Sequence, residues 1–325
     1  MPNKISSLVN LASPKLGSFG VKANDEFFAP LSRMLSDHEP VFIPEKYDDH
    51  GKWMDGWETK RRRIPGNDWC LIKLGCPGII KKIEVNTKFF TGNYPPEVSI
   101  EGILSENEPN ENEENWISIL DKINIDGDKI NNFNIEKENV VNWIKLKIFP
   151  DGGIARLRLW GNVYKNWKKE SKNELLELSA LKNCGKIISY NNAHYGDVTA
   201  LLSDGRGKNM GDGWETRRRR EPGNDWIIIE LGKNGYLDKI EVDTAFFKGN
   251  FPESCSLDAA NIIEGLKDTK LINWKPIIPQ TPLKADSIHE IHIDKKFKEK
   301  KYTHVRLNIF PDGGISRLRV YGFIL

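Results

Sequence analysis

A fifteen-residue segment that occurs twice constrains this chain more than any other feature. Asp55-Gly-Trp-Glu-Thr-Lys-Arg-Arg-Arg-Ile-Pro-Gly-Asn-Asp-Trp69 returns as Asp212-Gly-Trp-Glu-Thr-Arg-Arg-Arg-Arg-Glu-Pro-Gly-Asn-Asp-Trp226, differing only at Lys60/Arg217 and Ile64/Glu221. Ile83-Glu-Val-Asn-Thr-Lys-Phe-Phe90 returns as Ile240-Glu-Val-Asp-Thr-Ala-Phe-Phe247, and Gly-Asn, an aromatic and Pro follow in both. Ile148-Phe-Pro-Asp-Gly-Gly-Ile154 returns as Ile309-Phe-Pro-Asp-Gly-Gly-Ile315, with Arg156-Leu-Arg158 and Arg317-Leu-Arg319 one residue on. The offset is 157 between Asp55 and Asp212 and 161 between Ile148 and Ile309. Solenoid repeats have periods of about 20–50 residues, so each copy is expected to be a complete domain with its own core. The expected boundaries are 1–166 for the first, 167–184 for a linker and 185–325 for the second. Glu174-Leu-Leu-Glu-Leu-Ser-Ala-Leu181 has apolar residues at helical spacing with Gly185 after it, which predicts a short helix in that linker.

Within each copy the periodic segments are short. Trp69–Leu74 and Trp226–Leu231 read as strands that run into Gly, as strands ending in turns do. Trp143–Phe149 and Ile154–Trp160 alternate with period two, and Pro-Asp-Gly-Gly between them is turn chemistry. Many short strands without long helices between them predict an all-β chain of two tandem β-sandwiches, of jelly-roll type. Phe89-Phe90 and Phe246-Phe247, with the Gly-Asn after them, read as core and turn. The acidic, Asn-rich stretch 106–115 has no match in the second copy and is expected to be a mobile surface loop.

Composition removes several function classes. The 48 basic and 46 acidic residues balance, so neither a nucleic-acid nor a membrane partner is expected. Arg217–Arg220 could pass for a nuclear-import tract, but Trp, Glu and Asp surround it. No apolar run is long enough to span a bilayer, and residues 1–16 lack the apolar core of a secretory signal. The four cysteines show no C-x-x-C spacing and read as reduced, buried thiols, which makes the cytoplasm the expected compartment. His289, His292 and His304 have no companion at metal-ligand spacing, and no metal is expected. Walker A, Gly-x-Gly-x-x-Gly and Gly-x-Ser-x-Gly motifs are all missing, so no nucleotide cofactor and no serine-hydrolase chemistry is expected.

The arginine-rich segment is where chemistry is expected. Its Gly and its Pro-Gly-Asn break regular structure, so it reads as a loop feeding the Trp69 or Trp226 strand. Arginine presents a fixed fork of donors suited to carboxylates. Such a loop, with Asp and Glu beside it, can hold an anion at one end and accept N–H bonds at the other. The ordinary alternative is that the arginines form a solvated face, or ion pairs to Asp68 and Asp225. The Pro-Asp-Gly-Gly segments place Asp151 and Asp312 at tight turns, with Arg156 and Arg158 on one strand face and Leu157 and Leu159 on the other. Here the alternative is a structural hairpin whose Asp caps its own turn. His194, in Asn192-Ala-His-Tyr-Gly196, aligns near Asp25-Glu26-Phe27-Phe28, so Glu26 and His194 could divide acid and base roles between the copies.

The doubled motif resembles the allantoicase (allantoate amidinohydrolase) family. So do Asp25-Glu-Phe-Phe-Ala29, Lys208-Asn-Met-Gly-Asp-Gly-Trp214 and both Pro-Asp-Gly-Gly segments, and the resemblance spans about residues 16–322. It implies galactose-binding-like jelly rolls and hydrolysis of allantoate to ureidoglycolate and urea in purine degradation. In that frame Glu58, Glu215, Asp55, Asp212, His194 and Glu26 are the candidate catalytic residues. Arg61, Arg62, Arg63, Arg217, Arg218, Arg219, Trp57, Trp214, Asp151, Asp312, Arg156 and Arg317 are the candidate substrate-binding residues. The partner is small-molecule allantoate, and a homo-oligomer is the expected assembly. A site in each half, in one half or shared by both remains open. The competing class is a non-catalytic galactose-binding-like sugar- or ligand-binding protein, against which stand loops rich in Arg, Asp and Glu where sugar binders present aromatic platforms.

Overall fold

Two strands of 19 residues, Asp68–Asn86 and Asp225–Asp243, each organise one half of the chain. The computed structural model describes residues 3–4, 8–262 and 272–324. In the first half, the early part of Asp68–Asn86 lies between Phe19–Ala23 and Val140–Phe149, and Glu97–Ile103 and Ile117–Asn124 extend that layer. Its late part lies between Ile130–Asn134 and Arg156–Val163, which also pairs with Val9–Asn10. One strand thus serves both layers of the sandwich. The second half repeats the plan around Asp225–Asp243. Lys186–Tyr190, Lys301–Phe310, Ser254–Ala260 and Lys275–Pro282 make one layer, and Ile288–His292, Arg317–Ile324 and Leu176–Glu177 make the other. Every one of these pairings is antiparallel. The chain is all-β, two tandem sandwiches from a duplication.

The glycines after Trp69–Leu74 and Trp226–Leu231 do not end the strands. A Cβ on Gly75 would sit 1.8 Å from the Leu16 carbonyl oxygen, and one on Gly232 would sit 1.6 Å from that of Asn183. Glycine is needed there because another backbone crosses at contact distance. The ladder with Val140–Phe149 skips from Lys73 to Gly78, and its counterpart from Glu230 to Gly235, and there the strand passes between layers.

Pro-Asp-Gly-Gly is likewise not a hairpin turn. The strands on either side of it pair with opposite ends of the long strand, not with each other, so it is a crossover between layers. The Phe149-Pro150 and Phe310-Pro311 peptides are cis, and Gly152 and Gly313 have φ of 138° and 140°. Phe90 and Phe247 are fully buried, while Phe89 and Phe246 take positive φ at the turn, in line with the core-and-turn reading.

Two local expectations change. No α-helix forms across 174–181. Leu176, Leu178, Ser179 and Ala180 are all buried, Leu176–Glu177 pairs with Arg317–Ile324, and a 3-10 turn follows at Leu181–Asn183. Part of the expected linker is therefore an outer strand of the second sandwich. Compact units form from 8–164 and from 165 onward, with Asn3–Lys4 paired to Ser189–Tyr190 of the latter. The acidic stretch 106–115 is tethered. Lys22 pairs with Glu111 at 3.2 Å, the Lys145 ammonium donates to the Glu111 carbonyl, and the Trp116 indole N–H donates to the Asn110 carbonyl. The four cysteines make no disulfide, and burial pushes the Cys255 thiol up to about 12. No helix is long and apolar enough to cross a membrane among the described residues.

Candidate active site

The repeated motif enters each site as a two-residue strand. Trp57–Glu58 pairs with Gly153–Ile154, and Trp214–Glu215 with Gly314–Ile315. Side chains alternate across a strand, so Trp turns into the core while Glu turns out. Trp57 and Trp214 are fully buried, and their indole N–H groups donate to the carbonyls of Asp25 at 2.9 Å and Asn192 at 2.8 Å. They anchor the motif from beneath. Replacing a buried Trp by Ala costs about 3–5 kcal/mol.

The next residues clamp the loop to the crossover. Thr59 and Gly152 exchange bonds, as Thr216 and Gly313 do. The Asp151 carboxylate accepts from the Arg62 N–H at 2.8 Å, and Asp312 from the Arg219 N–H at 2.7 Å. These aspartates hold the arginine loop's backbone; they do not cap their own turns. Arg62 pairs with buried Asp68 at 2.8 Å and Arg219 with buried Asp225 at 2.7 Å. Arg156, only 1% exposed, pairs with Asp55 at 2.6 Å and also donates to the carbonyls of Asp55, Ala155 and His38. Arg317 does the same with Asp212 at 2.9 Å. Asp55, Asp212, Arg62, Arg219, Arg156 and Arg317 thus each have an ion-pair partner inside the frame.

In the second half, what remains faces a cleft of about 750 Å³. Glu215, Arg217, Arg218 and His194 line it with Tyr195, Asn250, Phe251, Glu253, Leu283 and Asp312. Glu215 is half-buried, and one of its oxygens accepts from the Asn250 side-chain amide. His194 and Tyr195 both donate backbone N–H bonds to the Glu215 carbonyl, at 2.9 and 3.3 Å. Arg217 and Arg218 are exposed and make no ion pair among the described residues. Two unneutralised guanidiniums therefore stand beside an oriented carboxylate.

The first half has the same parts under cover. Glu58 is 7% exposed, with Asn93 donating to it at 2.6 Å. Burial pushes its carboxyl up, the Asn93 bond opposes that, and Asp48 adds to it. Asp48 belongs to the hairpin of Tyr47–Asp48 and Gly51–Lys52. His50 of the same hairpin lies against Phe27 with ring centroids 4.5 Å apart. Between Met34 and Asp55 the first half has 20 residues; between Leu202 and Asp212 the second has 9. The hairpin lies within that extra length. Arg61 and Arg63 are exposed on this half's loop, and Lys60 pairs with Asp25 at 3.3 Å.

Glu26 and His194 do not occupy matching places. Asn24 and Asn191 correspond through their bonds to Asp68 and Asp225, but Phe28 makes the bond to Glu58 that His194 makes to Glu215. The second half is one residue shorter here. The Glu26 carboxylate accepts from the Leu31 N–H at the start of the turn Leu31–Met34. Sequence reasoning also missed Asn93, Asn250 and Glu253. The first two sit in the Gly-Asn-aromatic-Pro run that was visible in both halves but read as turn. No three His, Cys, Asp or Glu side chains cluster to hold a metal ion among the described residues.

These features define a two-repeat β-sandwich protein with an arginine- and carboxylate-lined cleft. The family model described as Allantoicase repeat matches residues 9–164 and 176–325. The chain is 46% identical over 319 residues to a probable allantoicase 1 of Burkholderia mallei, covering 97% of this chain and 94% of that one. It is 43% identical over 328 residues to a probable allantoicase of Acinetobacter baumannii, covering 100% and 96%. The crystal structure of Saccharomyces cerevisiae allantoicase superposes with a TM-score of 0.82 at 34% identity, covering 97% of this chain and 93% of that one. The chain belongs to the allantoicase family.

Proposed function

We propose that this protein hydrolyses allantoate to ureidoglycolate and urea, and that the second-half cleft is where it does so. The observation that carries the reading is the pair of exposed, unneutralised arginines, Arg217 and Arg218, beside a carboxylate oriented by Asn250. Allantoate is a carboxylate whose α-carbon bears two ureido arms. Arg217 and Arg218 take its carboxylate, and Glu215 accepts from the N–H groups of one arm. Water adds its oxygen to the central carbon as the C–N bond to one arm breaks, and that nitrogen takes a proton to leave as urea. Glu215 and His194 are the acid–base pair of this step. Asp312, Arg219, Asp212, Arg317 and Trp214 hold the loop that presents them.

The test is urea release from allantoate by the purified protein, with and without chelator. One urea and one ureidoglycolate per allantoate, insensitive to chelator, supports the reading. A folded protein that releases no urea overturns it. Two further parts of the proposal have their own support. The exposed Val41, Phe42, Ile43 and Tyr47 of the first-half loop support a homo-oligomer, which light scattering of the purified protein would measure. The lack of disulfides supports a cytoplasmic setting, which fractionation would check.

A further inference from the structure

We propose that Glu253 is the residue that makes the cleft select a substrate with two ureido arms; this rests on the reading of the cleft just given. Glu253 lines the cleft with an exposed side chain on a fixed backbone. Its N–H donates to the Phe310 carbonyl and its carbonyl accepts from the Leu283 N–H, both at 2.9 Å. The first half shows the same backbone position, because the Pro96 carbonyl accepts from the Ile125 N–H at 3.0 Å. Proline there has no side-chain acceptor. Glu253 is therefore a difference in chemistry at a place where the two halves agree in geometry.

Charge accounting assigns what Glu253 meets. Arg217 and Arg218 supply the cations for the substrate carboxylate, and Glu253 makes no ion pair with them or with any other side chain among the described residues. A carboxylate in an anion-binding cleft is repelled by the substrate's own carboxylate and attracted to N–H donors. A ureido arm ends in an amide NH2, two donors on one nitrogen. Glu215, with one oxygen already engaged by Asn250, accepts one arm. Glu253 accepts the other. A carboxylate with a single ureido arm satisfies the arginines and Glu215 but leaves Glu253 without its donor, so such a compound binds no better for Glu253 being there.

The experiment compares Glu253→Ala and Glu253→Gln with the unaltered protein, using allantoate as substrate and ureidoacetate, a carboxylate with one ureido arm, as competitive inhibitor. The expected result is a KM for allantoate raised about 10- to 100-fold in Glu253→Ala, the scale of a lost hydrogen bond to a charged group, with the ureidoacetate inhibition constant unchanged. Glu253→Gln keeps an acceptor oxygen and shows a smaller rise. An unchanged KM, or an inhibition constant that rises as much as KM, overturns the proposal. Glu215→Gln is run alongside. If it is inactive while both Glu253 variants behave normally, this inference fails and the cleft reading stands. If it retains full turnover, the cleft reading itself fails.

Discussion

The two halves share a frame and differ in what covers it. In both, a buried Trp, a Thr–Gly clamp, an Asp on the loop backbone and an Arg–Asp pair hold a glutamate at the same point of the sandwich. In the first half that glutamate is buried within the field of Asp48, whose hairpin packs His50 against Phe27, and Pro96 and Phe28 stand where the second half has Glu253 and His194. Duplication supplied two equivalent frames. Loop length and two neighbouring side chains decide which one is open, because the frame residues are tied to each other and are silent about access.

The two halves are expected to differ most at their paired glutamates. Glu215→Gln is expected to lower turnover of allantoate about 10²- to 10⁴-fold, the range of a lost acid–base group, while Glu58→Gln leaves it within about threefold. Urea release by each variant measures this. Equal losses would mean that both halves carry chemistry, and a loss confined to Glu58→Gln would move the active cleft to the first half.

The frame itself should respond alike in both halves. Arg156→Met and Arg317→Met each remove a buried guanidinium and strand its half-buried aspartate, Asp55 or Asp212, together with carbonyls that lose their donors. Removing one partner of a buried ion pair costs about 3–5 kcal/mol. Denaturant unfolding should show losses of similar size for the two. A variant that unfolds normally but binds allantoate poorly would return that arginine to the substrate-binding set.

How much of this was legible in the sequence depends on which physical term each residue serves. Duplication and all-β architecture were legible because repeats and period-two alternation are local patterns. The Arg–Asp pairs were legible only as an alternative: nothing in Arg-Arg-Arg distinguishes the middle arginine, which turns inward to Asp68, from its neighbours, which do not. Arg156 and Asp55 looked like ligand groups because their partnership joins residues 101 apart in sequence. The glycine at the end of Trp69–Leu74 was misread because a tight turn and a close backbone crossing demand the same residue. Asn93 and Asn250 were overlooked since a Gly-Asn-aromatic-Pro run is ordinary turn chemistry until its neighbours in space are known.

A smaller effect sharpens the division of labour among the arginines. Arg218→Ala is expected to raise KM for allantoate about 10- to 100-fold with kcat less affected, because it removes a charge-assisted contact to the substrate carboxylate. Arg61→Ala, its first-half counterpart, should leave both constants near their starting values. Steady-state kinetics on the pair checks this. Matching rises in KM would show that the covered half binds substrate as well.

The smallest expected difference lies away from the cleft, at the outer strands. Glu177 pairs across from Tyr321, where the first half has Asn10 across from Trp160. Asn10 is neutral and accepts from the backbone N–H groups of Ala12 and Leu159. Glu177 is a carboxyl at the same place, and burial is the main reason its pKa rises to about 7. Arg319 at 3.6 Å and Lys182 oppose the rise, while Asp204 and Glu241 add to it. A folded-state pKa above the ordinary 4.5 means that the native state resists ionisation. Stability linked to Glu177 is therefore complete below about pH 4.5, falls as the pH climbs to about 7, and stays lost above that. Glu177→Gln should match the unaltered protein at pH 4 and exceed it by about 1–3 kcal/mol at pH 8, read from unfolding midpoints at the two pH values. Asn10→Asp, which places a carboxyl on the first half's outer strand, should do the reverse, costing stability at pH 8 and less at pH 4. If Glu177→Gln gives the same gain at both pH values, its effect is one of packing, and the outer strands of the two halves do not differ in their response to protons.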